Sequence, residues 1–232
     1  MIQFYFNHAP NPSKVALFLE EAGLPWQPMP VDIRKGEQFA PGFLKLNPNG
    51  KVPLIVDGDA VVFDSNAILL YLADKTGRFL PEDTPAARGA LLSWLMFVAS
   101  GVGPFAGQAV HFKVYAPEPV PYARNRYDFE ARRHFGILND RLADRPYLLG
   151  ERYTIADMAV WGWARLVPFI VGDDTWGAWP HLKRLVDEIT ARPAAQRVAA
   201  LRDQYVFKTE VDAETRRHLF PQNEPRAAAA GA

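Results

Sequence analysis

The polar residues best placed for chemistry stand where an apolar helix begins. Asp64 and Ser65 come just before a nearly all-apolar segment, residues 67–73, which we predict to be a buried helix. A helix N-terminus offers unpaired N–H groups and a partial positive charge, which suit a carboxylate, whereas an acidic side chain beside it suits an ammonium group. The same two residues could instead serve only to cap the helix.

A second polar cluster, NHAPNPSK at residues 7–14, lies between the first predicted strand and the first predicted helix. The pair Asn11-Pro12 is typical of a helix start in which Asn is the N-cap and Pro takes the first helical position. We therefore predict a helix from Asn11 to Gly23. The side-chain amide of Asn11 is also a hydrogen-bond donor that could face a ligand.

The composition excludes several classes of function. The 26 basic and 26 acidic residues balance, which gives no reason to expect nucleic acid or an anionic membrane surface as a partner. We find no apolar run of the roughly 18 residues that span a bilayer and no signal-peptide layout, so a cytoplasmic protein is expected. The histidines show no HExxH-like spacing, so no metal is expected.

The chain contains no cysteine. This excludes disulfides, thiolate metal ligands and a protein thiol as nucleophile. If the protein does thiol chemistry, the sulfur must come from a ligand.

The order of predicted elements divides the chain in two. Residues 1–78 are predicted to form a strand, a helix, a strand, a polar loop at 35–43, a third strand that starts at Lys51, a fourth strand and a helix. This order indicates a small mixed α/β sheet with helices on its faces. The linker is predicted at 79–87, followed by an all-α part at 88–208 in which Gly101, Gly103 and Pro104 break or kink the first helix. Thr154 and Asp157 predict a capping box. The tail, 209–232, should fray or lie over the site.

The segment from Asn47 to Tyr71, NPNGKVPLIVDGDAVVFDSNAILLY, resembles the glutathione-binding half of the glutathione transferase family. The resemblance implies a thioredoxin-like domain followed by a helical-bundle domain. It also implies a cis Val52-Pro53 bond, with the main chain of Val52 binding the cysteinyl part of glutathione. Asp64 and Ser65 would then hold the γ-glutamyl end.

The loop with Asn11 resembles most closely the nu class of bacterial glutathione transferases. That resemblance implies that Asn11 is catalytic, since its amide N–H can donate to the glutathione thiolate. A hydroxyl found two residues earlier in that class is missing here, because the residue is Ala9. The remaining residues assigned to the glutathione site on this basis are Gln38, Lys51, Pro53 and Arg126.

Several of these assignments have plain alternatives. Gln38 and Lys51 could be solvated surface residues, and Arg126 could belong to a solvated helix face with i, i+4 ion pairs. Most of the aromatic side chains in the helical part should be core. Phe112 and Trp163 are the candidates for the wall of a hydrophobic substrate pocket.

The resemblance implies a homodimeric enzyme that uses glutathione as co-substrate to reduce small organic disulfides. Two other functions stay open. One is conjugation of glutathione to electrophiles, or reduction of peroxides, by the same activated thiolate. The other is a non-catalytic ligand-binding or regulatory protein on the same fold.

Overall fold

The computed structural model describes residues 1–223, and their N-terminal part contains a four-stranded mixed sheet with strand order β2-β1-β3-β4. The elements in chain order are β1 (Ile2–Phe6), α1 (Pro10–Ala22), β2 (Trp26–Pro30), a 3-10 turn (Glu37–Phe39), α2 (Pro41–Leu46), β3 (Leu54–Asp57), β4 (Ala60–Phe63) and α3 (Ser65–Thr76). The first two strands pair in parallel and the other pairs are antiparallel. The predicted thioredoxin-like α/β arrangement is therefore confirmed.

Two local predictions in this part need correction. The strand β3 begins at Leu54, opposite Tyr5, rather than at Lys51. Its ladder starts after Pro53 because proline has no N–H to donate. The region predicted as a polar loop also holds the short helix α2.

The rest of the described chain is helical. Its elements are α4 (Pro85–Phe97), a π-helical turn (Val98–Val102), α5 (Gly103–Val110), a second π-helical turn (His111–Tyr115), α6 (Pro121–Arg141), α7 (Ile155–Ala164), α8 (Val167–Val171), a 3-10 turn (Asp173–Gly177), α9 (Pro180–Ala191), α10 (Pro193–Gln204), α11 (Ala213–Leu219) and a 3-10 turn (Pro221–Asn223). The helix α4 begins at Pro85, so the last residues of the predicted linker are helical. The tail holds α11, and its final stretch, 224–232, lies outside the described residues.

The chain does not break near Gly101, which was one of the two predicted outcomes, because a π-helical turn (Val98–Val102) joins α4 to α5. A π turn is wider than an α turn, which accommodates Pro104 without ending the helix. Gly101 has a packing role instead, since a side-chain carbon there would collide with the His134 ring.

The stretch Pro85–Tyr115 meets the length and mean hydropathy of a membrane span, contrary to our reading of the sequence. Its buried side chains form one stripe that packs into the protein core, as in a globular core helix. The stripe consists of Leu91, Leu95, Val98, Val102, Ala106 and Ala109.

Helix α1 packs against both parts of the protein, since it contacts α3 on the sheet side and α7 and α10 on the helical side. The helix α7 starts at the predicted capping box, in which Thr154 and Asp157 bond each other's backbone reciprocally. This arrangement brings the start of α1 close to the end of α7 and the start of α3.

Candidate active site

The loop before α1 is shaped by an Asx turn at Asn7, whose Oδ1 accepts a hydrogen bond from the Ala9 N–H at 2.9 Å. The Ala9 carbonyl accepts the first helical bond, from the Ser13 N–H at 3.2 Å. Ala9 is therefore the N-cap and Pro10 the first helical residue. The predicted N-cap role of Asn11 is wrong, and its side chain is free for another use.

The amide of Asn11 is oriented by Trp163, whose Nε1–H donates to Asn11 Oδ1 at 3.0 Å. An indole N–H can only donate, so the oxygen of the amide must face Trp163. The amide nitrogen, Nδ2, consequently faces away from the indole with two hydrogens to donate. Trp163, expected in the wall of a hydrophobic pocket, thus contacts the candidate catalytic residue directly.

The segment before β3 carries the cis Val52-Pro53 bond that the resemblance implied. The Lys51 carbonyl is held by the Asn47 side chain, whose Nδ2 donates to it at 2.7 Å. Val52 precedes the first paired residue of β3, Leu54. Its main-chain groups thus lie outside the strand register, where a ligand can use them. The Lys51 side chain is exposed.

Helix α3 begins with Asp64, which is its N-cap and has a left-handed φ of 70°. Asp64 Oδ1 accepts from the N–H groups of Asn66 and Ala67, at 2.9 and 3.1 Å. The cap role is therefore real, and it uses one carboxylate oxygen. The N–H and hydroxyl of the buried Ser65 are left at the helix start for an anion. Strained backbone of this kind is frequent at functional sites.

A residue that sequence reasoning missed lies beneath this helix start. Lys14 on α1 is fully buried, and its Nζ donates to Ser65 Oγ at 3.2 Å and to Asn66 Oδ1 at 3.4 Å. Burial lowers its pKa to about 7, against a raising effect of the Asp64 charge. The available signal in the sequence was a lysine directly before the apolar run VALFL.

The end of the described chain covers Gln38. Its Nε2 donates to the His218 carbonyl at 3.0 Å, and the ring of His218 packs against Gly36. The other amide atom, Gln38 Oε1, is buried with no hydrogen-bond partner within residues 1–223. The tail thus lies over one of the assigned glutathione residues, which was one of the two outcomes predicted for it.

The other assigned residues lie on the helical part. Arg126 is on the exposed face of α6, and across the described chain no hydrogen bond or ion pair joins it to Asn11 or Ser65. Phe112 stacks on Tyr127 with ring centroids 5.4 Å apart. It lines a cavity of about 620 Å³ between the second π turn, α6 and α8.

Within the described part of the chain, no group of three or more histidine and acidic side chains is arranged to hold a metal ion. The converging groups are instead amide, hydroxyl and ammonium donors at the starts of two helices. Such donors suit a ligand that carries carboxylates and a thiolate.

Comparison with known proteins agrees with this arrangement. The model of the glutathione S-transferase N-terminal domain matches residues 3–74, and that of the C-terminal domain matches residues 123–193. The disulfide-bond oxidoreductase YfcG of Escherichia coli (strain K12) is 43% identical over 208 residues, which cover 84% of this chain and 92% of that protein.

Solved structures with the same fold contain glutathione. A glutathione transferase from Burkholderia graminis, with two glutathione molecules bound per subunit, has a TM-score of 0.80 and 36% identity over 86% of this chain and 87% of that one. One from Pseudomonas putida, with one glutathione disulfide per subunit, has a TM-score of 0.79 and 34% identity over 85% and 90%. The chain described here belongs to the glutathione S-transferase family.

Proposed function

We propose that this protein is a glutathione-dependent reductase of small organic disulfides. The observation that carries the proposal is the Asn11 amide, which Trp163 turns so that its N–H groups face away from the indole at the start of α1. A donor fixed in this way can stabilise a thiolate without reorganising. The YfcG relative, a disulfide-bond oxidoreductase, supports the choice of reaction.

Glutathione would bind along the line from α3 to the cis-proline segment. Asp64 Oδ2 and the Ser65 hydroxyl would take the α-ammonium and α-carboxylate of the γ-glutamyl part. The main chain of Val52, held in place by Pro53, would bind the cysteinyl part. Lys51 and Gln38 would lie near the glycyl carboxylate.

The site must lower the pKa of the bound thiol. A free thiol with a pKa of about 8.5 is only ~3% ionised at pH 7, and a shift of about two units requires ~2.7 kcal/mol of differential stabilisation. The hydrogen bond from the Asn11 N–H and the partial positive charge of the helix start can together supply a stabilisation of this magnitude. The missing hydroxyl at Ala9 makes Asn11 the main side-chain donor.

The reaction uses two glutathiones. The first thiolate attacks one sulfur of a disulfide RSSR, forms the mixed disulfide GSSR and expels one RS⁻, which takes up a proton. The second thiolate attacks the glutathione sulfur of GSSR, forms GSSG and expels the other RS⁻. Two glutathiones lose two electrons, and the disulfide becomes two thiols. The protein supplies positioning and no sulfur.

Conjugation or peroxide reduction would use the same thiolate. The relatives with two glutathiones or a glutathione disulfide in the subunit favour disulfide chemistry, because that reaction needs room for both molecules. The disulfide would lie near Phe112 and Trp163. Arg126 would contact glutathione only if the second subunit or a side-chain movement brought it there.

We also propose a cytoplasmic, nu-class-like homodimer. Apolar side chains on three elements, Phe63, Met96 and Phe129, are 43%, 52% and 64% exposed, which a second copy would cover. Sedimentation equilibrium should give twice the chain mass of 26.0 kDa. A monomer at micromolar concentration would contradict the dimer.

The test of function is turnover of glutathione with 2-hydroxyethyl disulfide, followed as GSSG formation. Wild-type protein should turn over, and Asn11→Ala should lower kcat/KM about ten- to hundredfold through the lost thiolate donor. Gln27→Ala, which removes an exposed amide on β2, is the matched control. Equal rates for Asn11→Ala and wild type would refute the catalytic role, and glutathione binding without turnover would favour the non-catalytic reading.

A further inference from the structure

The buried ammonium of Lys14 lies beneath the start of α3 and is held by neutral acceptors. Its contacts are Ser65 Oγ at 3.2 Å and Asn66 Oδ1 at 3.4 Å. Asn66 is itself fixed, because its Nδ2 donates to the Leu95 carbonyl at 2.9 Å. Burying an ammonium without a carboxylate in contact costs free energy of folding. Its position beneath the candidate site suggests that it serves ligand binding.

The packing of α7 against α1 leaves a channel for this side chain. Gly162 faces Lys14, and a side-chain carbon at Gly162 would collide with the lysine stem and lie 2.8 Å from the Pro10 carbonyl oxygen. The lysine stem therefore passes where only a glycine leaves room. The position of its ammonium is set by both helices and by α3.

We propose that Lys14 is a positioning residue for the carboxylate of the γ-glutamyl group. An ammonium can only donate, so Lys14 occupies an acceptor position of Ser65 Oγ and leaves the Ser65 hydroxyl hydrogen to point at the ligand. Its charge also adds to the positive end of α3, where the carboxylate would lie. The inference rests on the proposed function, because it assumes that glutathione binds at Ser65.

This arrangement makes binding depend on pH. Burial lowers the pKa of Lys14 to about 7, and the Asp64 charge acts in the opposite direction. The groups that face the ammonium are Asp64, Ser65 and Asn66 from α3, and α7 contributes the uncharged Gly162. A bound carboxylate favours the charged lysine, so binding takes up a proton above neutral pH. Affinity should therefore fall as pH rises through 7.

S-methylglutathione is the probe, because its blocked thiol cannot titrate. Calorimetry with wild-type protein should give a dissociation constant about five- to tenfold larger at about pH 8.5 than at about pH 6, since the charged fraction of a group with a pKa near 7 falls by more than that. Titrations in two buffers of different ionisation enthalpy at about pH 7.5 should reveal uptake of a fraction of a proton. This measurement needs no variant.

Lys14→Met keeps the length of the side chain and removes the charge. Its affinity should match wild type at about pH 8.5 and be about five- to tenfold weaker at about pH 6. Its pH dependence should be shallower than that of wild type, because only the α-ammonium of the ligand still titrates in this range. Ser65→Ala should lower affinity by a similar factor at pH 6, and the double variant should lose less than the product of the two factors, because the residues act as a pair.

The outcomes separate the two proposals. Wild-type protein that binds S-methylglutathione without proton uptake and with one affinity across this pH range overturns the role of Lys14 and leaves the proposed function standing. A pH dependence as steep in Lys14→Met as in wild type also overturns it. Absence of binding by wild type at every pH overturns the glutathione site and the inference with it.

Discussion

Trp163 Nε1 lies 3.0 Å from Asn11 Oδ1, which joins residues 152 positions apart in the sequence. The contact sets the direction of the Asn11 amide, because the indole can accept nothing in return. The helical part of the protein therefore determines how a group at the edge of the sheet part faces its ligand. The two parts make one candidate active site between them.

Replacing Trp163 by Phe tests this relationship. The ring remains but the N–H is lost, so the Asn11 amide can rotate and present its oxygen to a thiolate. We expect kcat/KM for disulfide reduction to fall about tenfold, equivalent to ~1.4 kcal/mol, with glutathione affinity changed by less than about twofold. Trp176→Phe, at another partly buried tryptophan, is the control. An unchanged kcat/KM in Trp163→Phe would show that the amide is fixed by other means.

Substitutions of Asp64 should separate its role as the N-cap of α3 from its proposed role in binding the α-ammonium of glutathione. Asn is as good an N-cap as Asp, so Asp64→Asn should keep the free energy of unfolding within about 0.5 kcal/mol, whereas Asp64→Ala should lower it by about 1 kcal/mol. Both variants lose the charge that would hold the α-ammonium. We expect both to raise the glutathione KM about tenfold in the enzyme assay. If the glutathione KM of Asp64→Asn equals that of wild type, Asp64 serves only as a helix cap.

Gly162 is predicted to be intolerant of even one carbon. In Gly162→Ala the new methyl group would meet the Lys14 stem and the Pro10 carbonyl oxygen. We expect a loss of about 1–3 kcal/mol in chemical unfolding, which is typical of overpacking. The control is Gly89→Ala in α4, where a side-chain carbon would meet nothing within 4 Å. That change should stabilise the protein by about 0.5–1 kcal/mol, because it restores helix propensity.

Lys14 should also give the stability of the free protein a distinct pH dependence. Burial lowers the folded-state pKa of Lys14 to about 7, below the ordinary lysine value of 10.5. Between these values the unfolded chain binds more protons than the folded one, so the free energy of unfolding rises with pH, by at most about 1.4 kcal/mol per pH unit. Lys14→Met should be more stable than wild type at pH 7 and should lack this rise. The free energies of unfolding of wild type and Lys14→Met should be measured by urea unfolding from about pH 7 to about pH 9.5. If the two change with pH in parallel, the pKa of Lys14 is not lowered by folding.

The sequence predicted those features that depend on neighbouring residues. The Asp64 cap and the Thr154–Asp157 capping box follow from residues three positions apart, and both are present. The N-cap and the first helical residue of α1 were predicted two residues too late, because Pro10 and Pro12 both suit a first helical turn. What decided between them was the Asx turn at Asn7, a side-chain contact that leaves no periodic pattern.

The groups beneath the site could not be predicted in the same way. In the sequence, Lys14 looks like an ordinary helical lysine, and only the structure shows that α7 packs over it. The sequence likewise suggests that Trp163 is a core residue or part of a pocket wall, and not a partner of Asn11. Both depend on how the two parts of the chain pack together. The close approach of Gly101 to the His134 ring is of the same kind, since it joins two helices that are distant in the sequence.

The C-terminal segment offers a last test, because its His218 carbonyl uses the Gln38 amide that glutathione would need. Ending the chain after residue 211 removes α11 and should free Gln38. We expect the glutathione KM to fall about threefold, as one competing hydrogen bond of ~0.7 kcal/mol is lost. A chain that ends after residue 223 keeps α11 and should behave as wild type. If instead the shorter chain has a higher KM, the segment contributes to the glutathione site and does not compete with it.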